Sequence, residues 1–301
     1  MSPFANAADV QHRFIAADSS TGRIALINEA GETEWEHKIG PLHDLQLLPN
    51  GHLLLQTSWT RLVEADLSTG EVVWEHEIPA DSGPVEVHAF ERLGDGRTMF
   101  AESGPARITE IALDGRLLRT VPLRVDRPHP HHDTRLVRVV GDRYLVCHEN
   151  DGVVREYDAT GQVVWDYAVP LFGRERRDGH GPEGYGNQCF AALRLPSGNT
   201  LITTGNGHGV IEVTPEREVV WQLSQHDLPG ITLAWVTTVQ VLRNGNLVIG
   251  NCHAGPENPQ VIELDRQKRV VWSFRDFERF GNALTNSWII EPPAEPADKN
   301  R

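Results

Sequence analysis

Apolar and polar residues alternate with a period of two along most of the chain, in short runs broken by turn residues. The segments "LQLLPNGHLLLQ", "ALRLPSGNTLITT" and "VQVLRNGNLVIGN" each hold two such runs around an Asn-Gly or Ser-Gly turn. Side chains two apart face the same side of a strand, so the pattern predicts sheet-packed strands joined by hairpins. Helical spacing is absent.

A second phrase recurs after these hairpins. "AGETEW", "TGEVVW", "TGQVVW", "REVVW" and "KRVVW" end at Trp35, Trp74, Trp165, Trp221 and Trp272, and "DGRLLRT" puts Arg119 in the same place. The copies lie 39 to 56 residues apart, near the length of a four-stranded propeller blade. The expected fold is all-β: a six-bladed β-propeller of four-stranded antiparallel blades, one domain over residues 12–292, with 1–11 and 293–301 as flexible termini. Blade I should run from about Asp44 to Ile78 and blade V from about Val236 to Arg275. Blade VI should be split, with "TNSWIIE" as its innermost strand and "RFIAAD", "RIALIN" and "ETEWEH" as the other three. Such a closure removes the exposed edges of an open sheet. The same recurrence accounts for the tryptophans and for Glu64, Glu110, Glu156, Glu212 and Glu263, because a residue repeated in nearly every blade answers to blade packing.

Composition narrows the function. A formal charge of −14 over 301 residues argues against nucleic acid or an anionic membrane surface as partner, since both need a basic face. No apolar run approaches the roughly 18 residues of a membrane span. Three widely spaced cysteines, Cys147, Cys189 and Cys252, imply no disulfide framework. The start "MSPFANAADVQ" has no secretory signature, so a cytoplasmic location is expected, or a periplasmic or secreted one if a signal peptide has been removed before Ala8.

Chemistry gathers on one face. In an up-and-down blade the starts of the innermost strands and the loops between second and third strands share one end of the ring, and ten of the 14 histidines map there. His43, His88 and His132 fall at the innermost-strand starts of three successive blades, and Gln188 is the counterpart in the fourth. Three imidazoles and an amide oxygen form a plausible shell for a divalent ion, Mn, Fe, Zn or Ca. Asp44 and Asp133, each following a ring histidine, would orient the imidazoles. In "VDRPHPHHDTRLV" the prolines hold His129 in a stiff connection, and strand alternation would let only one of His131 and His132 reach the axis. His132 is assigned to the axis because it shares the His-Asp phrase with His43.

The long connection "PLFGRERRDGHGPEGYGN" brings Arg174, Arg176, Arg177 and His180 to this face. Loops of that length tend to be binding loops or lids, and its positive charge suits a carboxylate, sulfate or phosphate. The catalytic set expected is His131, His180, His253 and Arg176, with Arg174, Arg177, His148, Asn187, Trp235 and Asn286 on the substrate.

At "HDLQLLPNGHLLL" and the "TGEVVW" phrases the chain resembles the quinoprotein-like propellers, in particular the arylsulfotransferase-like six-bladed group. The resemblance implies a channel histidine that carries the transferred group, a role open to His43, His88 or His132 with an arginine of the long loop beside it. Six units instead of eight, and no adjacent-cysteine pair, imply no bound pyrroloquinoline quinone. The leading expectation is a divalent-metal-dependent lyase or hydrolase acting on a sugar, sugar acid or oligosaccharide. The alternatives are group transfer through a channel histidine and a non-catalytic binding or scaffold propeller.

Overall fold

The computed structural model describes residues 10–80 and 83–292; the expected flexible termini lie mostly outside that range. Its 24 strands form six four-stranded antiparallel sheets. Blade I holds β4 (Leu45–Leu47), β5 (His52–Ser58), β6 (Arg61–Asp66) and β7 (Val72–Glu77); blade II holds β8 (Glu86–Arg92), β9 (Thr98–Ser103), β10 (Arg107–Ile111) and β11 (Leu117–Pro122). Blade III comprises β12 (Val137–Val140), β13 (Arg143–His148), β14 (Val153–Tyr157) and β15 (Val163–Ala168), and blade IV β16 (Ala192–Arg194), β17 (Thr200–Thr203), β18 (Val210–Val213) and β19 (Val219–Leu223). Blade V is β20 (Trp235–Val241), β21 (Leu247–Cys252), β22 (Val261–Leu264) and β23 (Val270–Phe274).

Blade VI is split as the repeat predicts. C-terminal β24 (Leu284–Ile289) pairs with β1 (Phe14–Asp18), followed by β2 (Arg23–Ile27) and β3 (Thr33–Lys38). The hairpin glycines Gly51, Gly198 and Gly245 sit at φ of 83°, 89° and 85°, a left-handed conformation that side chains resist and glycine accepts. Among the described residues no helix is long and apolar enough to cross a membrane.

The recurring tryptophans and glutamates join neighbouring blades. The indole N–H of Trp74 donates to Leu113 O at 2.8 Å, that of Trp165 to Pro215 O at 2.9 Å and that of Trp221 to Arg266 O at 2.9 Å, each one blade onward. An arginine of that next blade lies over the ring and pairs with the glutamate beside it: Arg92 with Trp74 and Glu64, Arg194 with Trp165 and Glu156, Arg266 with Trp221 and Glu212. These partially buried pairs and cation–π contacts fix the angle between blades. In blade II, Arg119 replaces the tryptophan and binds Glu110 at 3.1 Å.

Candidate active site at the channel mouth

Every innermost strand starts at one end of the channel, and the side chains there line a cavity of about 210 Å³. His43, His131, His132, Arg135, Glu149 and Phe190 form one wall, and His180, Trp235, Thr237, Cys252, His253 and Thr285 the other. Blades I and III supply most of the first group and blades V and VI most of the second. The cavity is therefore a product of ring closure.

Behind the first wall the imidazoles converge. His43 Nδ1 and His88 Nδ1 are 2.5 Å apart, and the two rings stack with centroids 4.6 Å apart. His131 Nδ1 lies 2.5 Å from Glu86 Oε2, and His88 Nε2 lies 3.2 Å from the same oxygen. One atom each from Glu86, His88 and His131 falls within a sphere of mutual distances no longer than 4.8 Å. Trp59 closes the cluster, edge-on to His43 and His131 with centroids 5.1 and 5.3 Å away, and tilted against His88 at 4.9 Å.

The electrostatics keep these rings neutral. Burial pushes the pKa values of His43 and His88 well below the usual imidazole value, and the Arg135 guanidinium adds to the shift. Burial first and Arg135 second also lower His131, against the pull of Glu86. A neutral imidazole keeps a lone pair for a metal ion or a proton. Arg135 is itself buried, pairs with Glu149 and donates to His131 O.

The structure redistributes the expected ligands. His43 and His88 do meet, but the third member is His131. The segment before β12 is a turn rather than a strand, with His132 N and Asp133 N both donating to His129 O; strand alternation does not apply, and both rings reach the cavity. His132 binds Glu149 at 3.0 Å instead of joining the Glu86–His88 group. Gln188 donates to Glu149 at 3.1 Å and accepts from Asn206 at 2.6 Å, so its amide oxygen, the expected ligand atom, is already bonded to Asn206. Asp44 and Asp133 touch no imidazole ring through their carboxylates. Asp44 takes a bidentate pair from Arg138 at 2.7 Å and caps Leu45 N and Phe90 N, whereas Asp133 accepts from His129 N and Gly104 N.

Among the remaining candidates, His180, His253 and Trp235 line the cavity. His180 stacks on Trp235 at 5.3 Å and faces His253 at 5.5 Å. His253 holds a left-handed φ of 60°, uncommon outside glycine, with its N–H donating to Asn282 O at 2.7 Å. Burial lowers its pKa. Asn286 acts at one remove, donating to His43 O at 2.9 Å.

Arg174, Arg176 and Arg177 are exposed and line neither this cavity nor the opening beside it. Arg174 lies over the Tyr185 ring at 3.5 Å, and the Arg177 backbone pairs with Tyr185. Their loop is tied down by His208, whose ring nitrogens lie 2.7 Å from Ala234 O and 2.6 Å from Gly184 O. Asn187 is buried beneath the loop, donating to Val169 O at 3.0 Å.

His148 belongs to the core. Its Nδ1 donates to Asp133 O and its Nε2 accepts from Tyr157 Oη, both at 2.8 Å. Burial brings its pKa down to about 4. Protonation therefore favours the unfolded chain, whose imidazole has the ordinary value, and stability should fall as pH drops from about 6.5 towards 4. The complete effect of such a shift is on the order of 3 kcal/mol. Thermal melts at pH 7 and pH 4 should converge in His148→Gln relative to the parent, and an unchanged gap would disprove the assignment.

Glu86, Glu149, Arg135 and Trp59 are site residues the sequence reading passed over. Trp59 lies in the blade I loop between second and third strands, on the face already singled out, and "VEVHAF" carries Glu86 two residues before His88. Attention to histidines alone hid both. Arg135 gives no local signal, because its burial beside Glu149 and His131 is set by the folded structure.

The closed ring with a histidine-lined channel mouth defines a six-bladed propeller of the quinoprotein-like repeat class. A family model described as outer membrane protein assembly factor BamB matches residues 20–274, and the chain belongs to this family. A comparison with curated proteins finds no match. Among solved structures, a Bacteroides caccae protein of unknown function is similar with a TM-score of 0.78 and 22% identity, over 94% of this chain and 100% of that one. Virginiamycin B lyase from Staphylococcus aureus has a TM-score of 0.57 at 11% identity, covering 86% of this chain and 78% of that one. A catalytically inactive histidine-to-alanine form of that lyase, bound to quinupristin, gives 0.57 at 11% over 90% and 87%. These likenesses describe the fold.

Proposed function

We propose that the protein is an enzyme, a divalent-metal-dependent lyase or hydrolase, with its active site at the histidine-rich channel mouth. The observation that carries this reading is the convergence of Glu86, His88 and His131. Two imidazoles and a carboxylate suit Mn²⁺, Fe²⁺ or Zn²⁺. His88 Nε2 is buried, and its 3.2 Å approach to Glu86 Oε2 lacks hydrogen-bond geometry, a need that a metal bond would satisfy. Around this cavity Glu86 and Glu149 also outnumber the lining arginine, Arg135, and a divalent ion would reverse that imbalance. The expected ligand set accordingly becomes Glu86, His88 and His131, with His43 against His88 and His132 against Glu149.

When bound, the metal would supply Lewis-acid polarisation of a carbonyl or carboxylate oxygen. The protein's own groups do the rest. Arg135 favours an anionic substrate group, Trp235 with stacked His180 offers a flat face to a ring, and His253, neutral at pH 7, can accept a proton from carbon or water. A sugar acid combines these features. In virginiamycin B lyase, a propeller of similar fold, a histidine-to-alanine form is catalytically inactive, which supports a role for histidine here.

The family description favours a second reading, a scaffold that assembles with other proteins. The arylsulfotransferase-like alternative would require a covalent histidine adduct and no metal. Titration of chelator-treated protein with Mn²⁺ or Zn²⁺ distinguishes them: one ion per chain is expected, along with metal-dependent ultraviolet absorbance of unsaturated product from a uronic-acid oligosaccharide panel. Absence of any bound ion would refute the metal-dependent reading.

A further inference from the structure

The channel has a second chamber at its opposite end. It measures about 560 Å³, within the usual size range of ligand sites, and its wall comes from the innermost strands of all six blades and the residues flanking them, including Leu45, Phe90, Leu136, Leu193, Val239 and Trp288. The histidine site lies at the other ends of those strands and shares none of its lining with this chamber.

We propose that this chamber binds a neutral, mainly apolar small molecule bearing one hydrogen-bonding group, received by Glu91. The polar wall atoms decide the ligand's character. Gln46 uses both amide atoms on the backbone of Arg92, and Gln240 does the same with Ile289, in each case on the next blade's innermost strand. Arg138 is neutralised by the bidentate Asp44 pair, and Arg194 by Glu156 and Gly198 O. Glu291 accepts from Arg243 N. No unpaired cation is left for an anionic ligand, and burying an unpaired charge would be costly.

Glu91 is the exception. It occupies the position of Gln46 and Gln240 in this ladder and accepts from Val139 N through Oε2 at 2.9 Å. Its Oε1 has no protein partner among the described residues, and burial raises its pKa. A pocket with apolar walls and one perturbed polar group is how small-molecule sites are usually built. The chain's own end does not match these walls. Beyond Pro292 the sequence carries Glu295, Asp298, Lys299 and Arg301.

The test uses N-phenyl-1-naphthylamine, a neutral apolar fluorophore with one N–H. Enhanced probe fluorescence and energy transfer from tryptophan are expected, with weaker binding of anionic 1-anilinonaphthalene-8-sulfonate. Val241→Arg places a charge at a lining position that is 37% exposed, outside the core, and should weaken binding roughly tenfold or more. Trp288→Phe should keep binding but reduce the transfer. His131→Ala, at the other end, should leave the probe's affinity unchanged. The inference is overturned by no enhancement, by equal binding in Val241→Arg, by unaltered transfer in Trp288→Phe, or by equal affinity for the anionic dye. Tighter probe binding on deletion of residues 293–301 would also overturn it, by making the tail the occupant.

Discussion

Deletion of residues 281–301 should leave a chain with no cooperative thermal transition. The deletion removes β24, which is hydrogen-bonded to β1 from Phe14↔Ile289 to Asp18↔Leu284 and is the innermost strand of blade VI. Leu284 and Ile289 are each 1% exposed, and burying the two side chains is worth about 3–6 kcal/mol. Total stability of a domain is on the order of 5–15 kcal/mol. Loss of the strand also exposes the ladder edge of β1 and the apolar faces of blades V and I. Thr285 and Asn286 go with it, and these hold Leu42 O and His43 O at 2.8 and 2.9 Å. Circular dichroism against temperature gives the answer, and a cooperative melt within a few degrees of the parent would rule out closure as the main source of stability.

His131→Ala should abolish turnover and weaken Mn²⁺ or Zn²⁺ binding by about 100-fold or more, while His132→Ala should cost about tenfold or less in metal affinity. His131 Nδ1 sits 2.5 Å from the Glu86 carboxylate, within the Glu86–His88 group. His132 reaches Glu149 instead, and its influence passes through Arg135, which donates to His131 O. Metal titration read beside catalytic rate separates ligand loss from a shift in the cavity wall. Equal losses in the two variants, or the opposite ranking, would return the axial position to His132.

The architecture was almost wholly legible in the chain. Period-two alternation, Asn-Gly and Ser-Gly turns and the recurring Trp35, Trp74, Trp165, Trp221 and Trp272 are local signals, and they delivered blade number, strand count and the split blade VI. The face carrying the site was legible for the same reason, since blade topology assigns each loop to one end. The reading of Trp74, Trp165 and Trp221 as blade-packing residues agrees with their indole bonds to the next blade.

The chemistry within that face was decided elsewhere. The sequence alone determined that histidines of blades I, II and III would share a channel mouth with His180 and His253. Which of them touch was settled by the turn at His129–Asp133, which breaks the strand geometry that would have sent only one of His131 and His132 inward. Arg135 and Glu149, both at the mouth of blade III, pair where Phe190 and Gln188 of the blade IV segment pack on them, and Gln188 is drawn to Glu149 and Asn206. The arginines of the long loop, prominent in the sequence, stayed exposed. Strand periodicity is set by neighbouring residues along one chain, whereas the desolvation and pairing of a charge depend on atoms brought together from several blades, and only the closed ring specifies those.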